Sequence, residues 1–258
     1  MVGQRCLFRI GIAVFAGTSS LLAQSVSPGE LAKKVAAKFQ AAKEYAFEGS
    51  LEITRKNGND VPAAVLETDQ VKLSIGSGGK CLLEVDGVKK PAYVRITNGV
   101  TSWVYMPSLK RYTEGPSAEN ANPCQPSSDA RSGPQQDLAA DFIRRAVSIL
   151  AGLDQRIAYT DLKGFLLTVM SQKDDQGRQE MVYLTLDVNS LAVKKMAWLL
   201  AAPAPGDDKT LMRYDLAFQS LRINEAANDS EYTFTPPNNA KRVKTLPMPG
   251  ARSGTKRL

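Results

Sequence analysis

The sequence predicts an α+β fold that is mainly β, with two helices and about 10 to 11 antiparallel strands. Residues with high β propensity alternate with a period of two along most of the chain, and short turns rich in Gly, Asn and Asp separate these runs. Only two segments show helical spacing of apolar residues. Because a sheet with so many strands tends to curl, we expect a barrel or a partial barrel.

The first 23 residues have the composition of a secretory signal peptide. A basic start with Arg5 and Arg9 precedes an apolar run, and small residues end the segment at Ala23. The apolar run is short and interrupted, which disfavours the alternative of an uncleaved membrane anchor. We therefore expect cleavage after residue 23, a periplasmic location, one folded domain over residues 24–245 and a basic, flexible tail over residues 246–258.

Composition and charge exclude several classes of function. The formal net charge is +7, and removal of the leader with its two arginines lowers it by two. Such a surplus suits anionic lipid head groups and is also ordinary for a soluble protein. Basic residues are not clustered with aromatic ones, so nucleic-acid binding is not expected.

The chain has no histidine, which excludes Ser-His and Cys-His hydrolysis. The carboxylate pairs Asp174-Asp175 and Asp207-Asp208 lie in predicted turns, where solvated side chains are the simpler interpretation. We therefore expect neither an enzyme nor a cofactor.

Two cysteines follow the leader, Cys81 and Cys124. Export to an oxidising compartment permits a disulfide between them, and two free thiols are the alternative. Two thiols without histidine match no zinc pattern, so no metal site is expected.

The first helix is predicted over residues 27–43. Ser27 and Glu30 form a capping box, and Leu31, Val35 and Phe39 recur at helical spacing. Strands follow, with Phe47 and Leu51 on one face of the first strand, and a second strand over residues 66–75. The loop 76–80 contains Gly and Lys but lacks the Walker spacing, so a flexible turn is expected there.

Residues 93–114 predict a central hairpin around Asn98-Gly99, the dipeptide that two-residue hairpin turns prefer. Trp103 and Tyr105 lie on the same face of its second arm, which ends at Pro107. A long polar loop is expected over residues 117–136. A second amphipathic helix follows over residues 137–153, with Leu138, Phe142 and Ile149 on its apolar face.

Five further strands are predicted over residues 156–161, 165–172, 180–187, 192–200 and 211–221. Trp198 lies in the fourth of them. The last segment, Tyr232-Thr-Phe234-Thr-Pro236-Pro237, reads as a short edge strand that the prolines end.

Two motifs resemble the LolA-type outer-membrane lipoprotein carriers. The hairpin runs Asn98-Gly99 and then Trp103-Val104-Tyr105-Met106-Pro107, similar to the family's turn followed by Trp-x-Tyr-x-Pro. The closing segment from residue 232 to residue 237 resembles the family's F-x-F-x-P-P motif. The order of leader, helix, strands, hairpin, helix and strands also agrees, whereas the loop ending at Lys80 lacks the family's Arg-Pro pair.

The resemblance implies an incomplete antiparallel β-barrel with a helical lid, whose apolar hollow carries lipoprotein acyl chains or another lipid between the inner and outer membranes. The implied partners are an inner-membrane export complex and an outer-membrane acceptor, and the protein is expected to be a monomer. The expected cavity lining comprises Phe47, Leu51, Trp103, Tyr105, Phe142 and Trp198. The expected lid residues are Leu31, Val35, Phe39, Leu138 and Ile149. Two alternatives stay open: ordinary core packing for each residue, and an envelope sensor or interaction module for the protein.

Overall fold

The computed structural model describes residues 27–57, 62–88, 92–117, 137–172, 179–187, 189–201, 210–225 and 228–246. The predicted leader and nearly all of the predicted tail and of the polar loop lie outside these residues. The described residues contain two α-helices, α1 (Pro28–Gln40) and α2 (Leu138–Ala151). The strands are β1 (Tyr45–Asn57), β2 (Ala64–Ile75), β3 (Lys80–Gly87), β4 (Tyr93–Asn98), β5 (Thr101–Met106), β6 (Arg111–Pro116), β7 (Tyr159–Lys163), β8 (Leu166–Met170), β9 (Gln179–Asp187), β10 (Ala192–Ala201), β11 (Thr210–Ile223) and β12 (Lys241–Arg242).

All of these strands form one open sheet in the order β12-β6-β5-β4-β3-β2-β1-β11-β10-β9-β8-β7. The predicted α+β class is confirmed, with 12 strands in place of the predicted 10 to 11. Every neighbouring pair is antiparallel except β12 and β6, which run parallel. The two-residue strand β12 has no apolar alternation of its own, so periodicity gave no signal for it.

The capping box predicted for α1 is confirmed. The Glu30 backbone N–H donates to Ser27 Oγ at 3.2 Å, and the Ser27 N–H donates to Glu30 Oε2 at 3.3 Å. Both bonds satisfy donors that the first turn of a helix leaves without an intrahelical partner. The helix therefore begins where the sequence predicts, although it ends three residues earlier than expected, at Gln40.

The hairpin of β4 and β5 is confirmed, but its turn is wider than the predicted two residues. Thr97 and Ser102 are the last paired residues, and at the tip Gly99 has a φ of +90° whereas Asn98 is not in the positive-φ region. The Asn98 side chain instead accepts the backbone N–H groups of Val100 at 2.9 Å and Thr101 at 2.8 Å. The local Asn side chain thus replaces a backbone turn bond.

The two faces of the sheet have different coverings. Both helices pack on one face, here called the inner face, and together with it form the main hydrophobic core. The opposite, outer face carries a smaller cluster of Leu82, Ile96 and Tyr232, against which Trp103 and Phe234 pack. Because side chains alternate along each strand, Leu82 and Leu83 belong to different clusters although they are adjacent in sequence.

Candidate functional site

Four of the six residues predicted to line a cavity lie together beneath the helices on the inner face. Phe47 is 1% exposed, Leu51 0%, Phe142 1% and Trp198 6%. All four belong to the main core cluster. In the structure these four side chains are therefore part of a closed, packed interior.

Three aromatic rings join α2 to the sheet. Phe142 stacks on Trp198, with ring centroids 5.8 Å apart, and on Tyr214, at 4.9 Å. Trp198 and Tyr214 face each other across β10 and β11, at 5.1 Å. Such pairs add about 0.5–1.5 kcal/mol beyond their buried area. The contact between α2 and this part of the sheet is therefore apolar.

The sequence analysis did not include Tyr214, although a signal for it was present. Tyr214 lies two residues before Leu216 on the same face of β11, and both are buried in the main core. Period-two alternation along β11 would have placed it beside Trp198 once the pairing of β10 with β11 was assumed. Burial raises the pKa of the Tyr214 phenol.

The predicted lid residues all contact the core from the helices. Leu31 is 4% exposed, Val35 0%, Phe39 3% and Ile149 3%, and Leu138 is partly buried against the same cluster. The two helices are also tied to each other, because Gln40 Nε2 donates to the Ala151 carbonyl oxygen at 2.8 Å and to Asp154 Oδ1 at 3.1 Å. The C-terminal end of α2 is therefore anchored to α1.

A tyrosine of the sheet contacts the N-terminal end of α2. Tyr93 is fully buried, and its hydroxyl donates a short hydrogen bond to Asp137 Oδ2. Asp137 caps α2 by accepting the Ala140 N–H at 3.1 Å. The pKa of Tyr93 is raised far above its usual range, mainly by burial and also by the Asp137 carboxylate. The phenol therefore stays protonated and remains a donor, and we call this bond the α2 latch.

The structure does not bring Trp103 and Tyr105 together with the other four predicted residues. Both lie on the outer face, where Phe234 covers them with ring centroids 6.5 Å and 5.5 Å away, respectively. The Tyr112 ring lies 5.3 Å from Phe234 and completes the group. The two motifs that carry the family resemblance therefore meet each other, as an aromatic clamp between the hairpin and the C-terminal segment.

Two polar contacts fix the C-terminal segment on the outer face. The hydroxyls of Tyr232 and Ser74 are 2.8 Å apart in a buried hydrogen bond. Lys80 donates to Asp229 at 2.7 Å, and Asp229 is largely exposed, so this pair contributes little. Lys80, the cation nearest to the missing Arg-Pro position, thus contacts the C-terminal segment.

The outer face also carries a groove of about 370 Å³ above β1, β2 and the strands β8 to β11, lined by both apolar and charged side chains. Arg213 spans its floor in a two-pronged bond to Asp215, at 2.6 Å and 2.7 Å, and Glu52 lies opposite Asp215 in the register. Charged walls disfavour an acyl chain here, because burying them against methylenes costs hydration.

Cys81 is disulfide-bonded. Cys124 lies outside the described residues, so its pairing with Cys81 stays a prediction, and so do the interpretations of Asp174-Asp175 and Asp207-Asp208. Within the described ranges, no three His, Cys, Asp or Glu side chains are grouped so that they could hold a metal ion. No helix in the same ranges has the length and apolar character needed to cross a membrane.

Solved structures similar to this chain include three at low identity. A domain named for outer membrane lipoprotein sorting from Vibrio parahaemolyticus is 13% identical, with a TM-score of 0.31 over 79% of this chain and 95% of its own. A DUF1329 family protein from Desulfovibrio piger is 11% identical, with a TM-score of 0.33 over 80% and 95%. In the MucA/MucB complex of Pseudomonas aeruginosa, the matched chain is 15% identical, with a TM-score of 0.35 over 81% and 61%.

No protein-family model matches the sequence, and no curated protein matches it either. Because all three TM-scores lie below 0.5, these similarities support no conclusion about function, which is argued below from the chain's own residues.

Proposed function

We propose that the protein is a periplasmic carrier that shields the acyl chains of a lipoprotein, or of another lipid, between α2 and the inner face of the sheet. The observation that carries this proposal is the attachment of α2. Its middle is held by apolar contacts centred on Phe142, and its N-terminal end by the α2 latch. Nonspecific apolar contacts are those that an acyl chain can replace.

The exchange replaces one apolar contact of α2 by another. The helix buries five large apolar side chains, Phe142, Ile143, Val147, Ile149 and Leu150. An acyl chain between α2 and the sheet would contact such side chains, so the helix would keep much of its apolar burial while the chain gains about 0.8 kcal/mol for each CH₂ removed from water.

The direction of opening follows from the polar ties. The C-terminal end of α2 is bound to α1 through Gln40, whereas its N-terminal end is held by the hydrogen bond from Tyr93. A ligand that separates Phe142 from Trp198 and Tyr214 would break the latch and move the N-terminal end of α2 outward. Export by the predicted leader would place this cycle in the periplasm, with membrane partners that load and unload the cargo, and without catalysis.

A second candidate function is an envelope interaction module that senses protein or lipid ligands without transport. The closed packing of the inner face favours it, because the described residues already fill the space beneath α2. In that case α2 would stay in place, and ligands would bind elsewhere on the surface.

The chain contains two tryptophans, one on each face of the sheet, and they separate these functions. The variant Trp103→Phe leaves Trp198 as the only reporter of the inner face, and Trp198→Phe leaves Trp103 as the matched reporter of the outer face. Addition of a brominated fatty acid should quench Trp198 and spare Trp103. Equal quenching of both, or of neither, contradicts the carrier function.

A further inference from the structure

We infer that a basic cluster at the β6 edge of the sheet is the surface by which the protein docks on an anionic lipid bilayer. The cluster comprises Lys110, Arg111, Lys241, Arg242 and Lys244, all exposed. Two segments more than a hundred residues apart supply it, joined by the parallel pairing of Lys241 with Arg111 and Arg242 with Tyr112. This inference rests on the proposed carrier function, for which it names the surface that meets the membrane.

The charge of the cluster is nearly uncompensated. Among the described residues, Glu114 is the one carboxylate that forms an ion pair with the cluster, 3.6 Å from Arg242. Lys110, Arg111, Lys241 and Lys244 form no ion pair with any described residue. Holding like charges side by side is unfavourable unless an anionic partner is present. The fold thus concentrates positive charge at one edge without neutralising it.

The same edge is closed to an added peptide strand. The Lys241 N–H donates to the Lys110 carbonyl oxygen at 2.9 Å, and the Val243 N–H donates to that of Tyr112 at 2.8 Å. Arg242 Nη2 donates to the Glu114 carbonyl oxygen at 3.2 Å. Because these carbonyl oxygens along and just before β6 are already occupied, an added peptide strand would find few free backbone acceptors at this edge. The side chains, rather than the backbone, are the available contact.

Two further features favour a bilayer over a soluble polyanion. Leu109, next to Lys110 in the chain, is 40% exposed, so an exposed apolar side chain adjoins the cationic residues, the combination that interfacial lipid binding uses. The cluster also lies at the same end of the sheet as the α2 latch, because Met106 pairs with Arg111 and the neighbouring β4 begins there at Tyr93. Docking at this edge would therefore bring the N-terminal end of α2, which the proposed carrier cycle moves outward, toward the membrane.

The test is co-sedimentation of the purified protein with vesicles of phosphatidylcholine alone or mixed equally with phosphatidylglycerol. We expect binding only to the anionic vesicles, and loss of that binding in high salt. The variant Lys241→Gln/Lys244→Gln should lower the partition coefficient roughly 30-fold, at about fivefold for each cation removed. Its matched control is Lys33→Gln/Lys34→Gln, which removes the same charge from exposed positions on α1 and should retain most of the binding.

Equal losses in both variants would mean a net-charge effect and would overturn the inference. The inference is likewise overturned if wild-type protein does not bind anionic vesicles, or if it binds only soluble heparin or an acidic protein. Circular dichroism of each variant confirms that the sheet is retained. Quenching of Trp198 by brominated fatty acid, measured without vesicles, is expected to persist in the cluster variant. If quenching fails in every variant while vesicle binding persists, the carrier function fails and the docking surface stands.

Discussion

Removing the α2 latch should increase the apparent affinity for acyl ligands. The change is Tyr93→Phe, which keeps the buried ring and deletes only the hydroxyl that donates to Asp137. A hydrogen bond to a charged group contributes about 1.5–3 kcal/mol. If ligand binds only after α2 opens, the apparent dissociation constant is the intrinsic one divided by the open fraction. A loss of about 2 kcal/mol from the closed state therefore raises the apparent affinity roughly 30-fold.

The assay is quenching by brominated fatty acid in the Trp103→Phe background, with Trp198 as the reporter. Tyr232→Phe is the matched control, since it deletes another buried tyrosine hydroxyl, the partner of Ser74 at 2.8 Å, on the face away from α2. We expect both variants to lose stability to urea, but only Tyr93→Phe to bind more tightly. Because the pKa of Tyr93 is raised far above its usual range, the gain should be constant between about pH 6 and pH 9. An unchanged affinity, or an equal gain in the control, would refute the latch.

Three other predictions concern the clamp, the hairpin tip and alkaline stability. Phe234→Ala should cost about 1–2 kcal/mol of unfolding free energy, because the ring is only partly buried, and should red-shift the emission of Trp103 in the Trp198→Phe background, whereas an unshifted spectrum would disprove the clamp. Gly99→Ala should lower the unfolding free energy by about 2 kcal/mol or more, measured as a lower urea midpoint. The reason is that Gly99 has a φ of +90° and an added Cβ would collide with the Gly78 carbonyl oxygen. An unchanged midpoint would contradict this. Burial raises the pKa of Tyr45 to about 12, so its contribution is complete below about pH 10 and lost as pH rises to about 12, and Tyr45→Phe should show a shallower alkaline decline than wild type.

Local rules predicted the elements of this fold well. The capping box at Ser27, the hairpin at Asn98-Gly99 and the apolar face of α2 all depend on residues close together in sequence, and the structure has each of them. Pairings between segments distant in the sequence were harder to predict. The parallel contact of β12 with β6 depends on backbone hydrogen bonds from Lys241 to Lys110 and from Val243 to Tyr112, for which neither segment carries a periodic signal.

In the candidate site too, features that depend on local sequence were predicted and those that depend on distant segments were not. Phe47, Leu51, Phe142 and Trp198 are large apolar residues on amphipathic elements, and burial together on one face follows from alternation. Trp103 and Tyr105 satisfy the same rule but lie on the other face, because alternation fixes which side chains share a face and not which face the helices cover. The ring that covers Trp103 and Tyr105 on the outer face, Phe234, is more than 120 residues away in the chain.

The measurement that tests the central claim most directly is the distance between α2 and the sheet with and without an acyl ligand. Spin labels at Asp141, a partly exposed position in the first turn of α2, and at Thr54, on the outer face of β1, would report that distance by double electron–electron resonance. The carrier function predicts a second, longer distance that gains population as fatty acid is added, and that does so at lower fatty-acid concentrations in Tyr93→Phe. A single distance that no acyl ligand changes would contradict it and leave the interaction module as the better account.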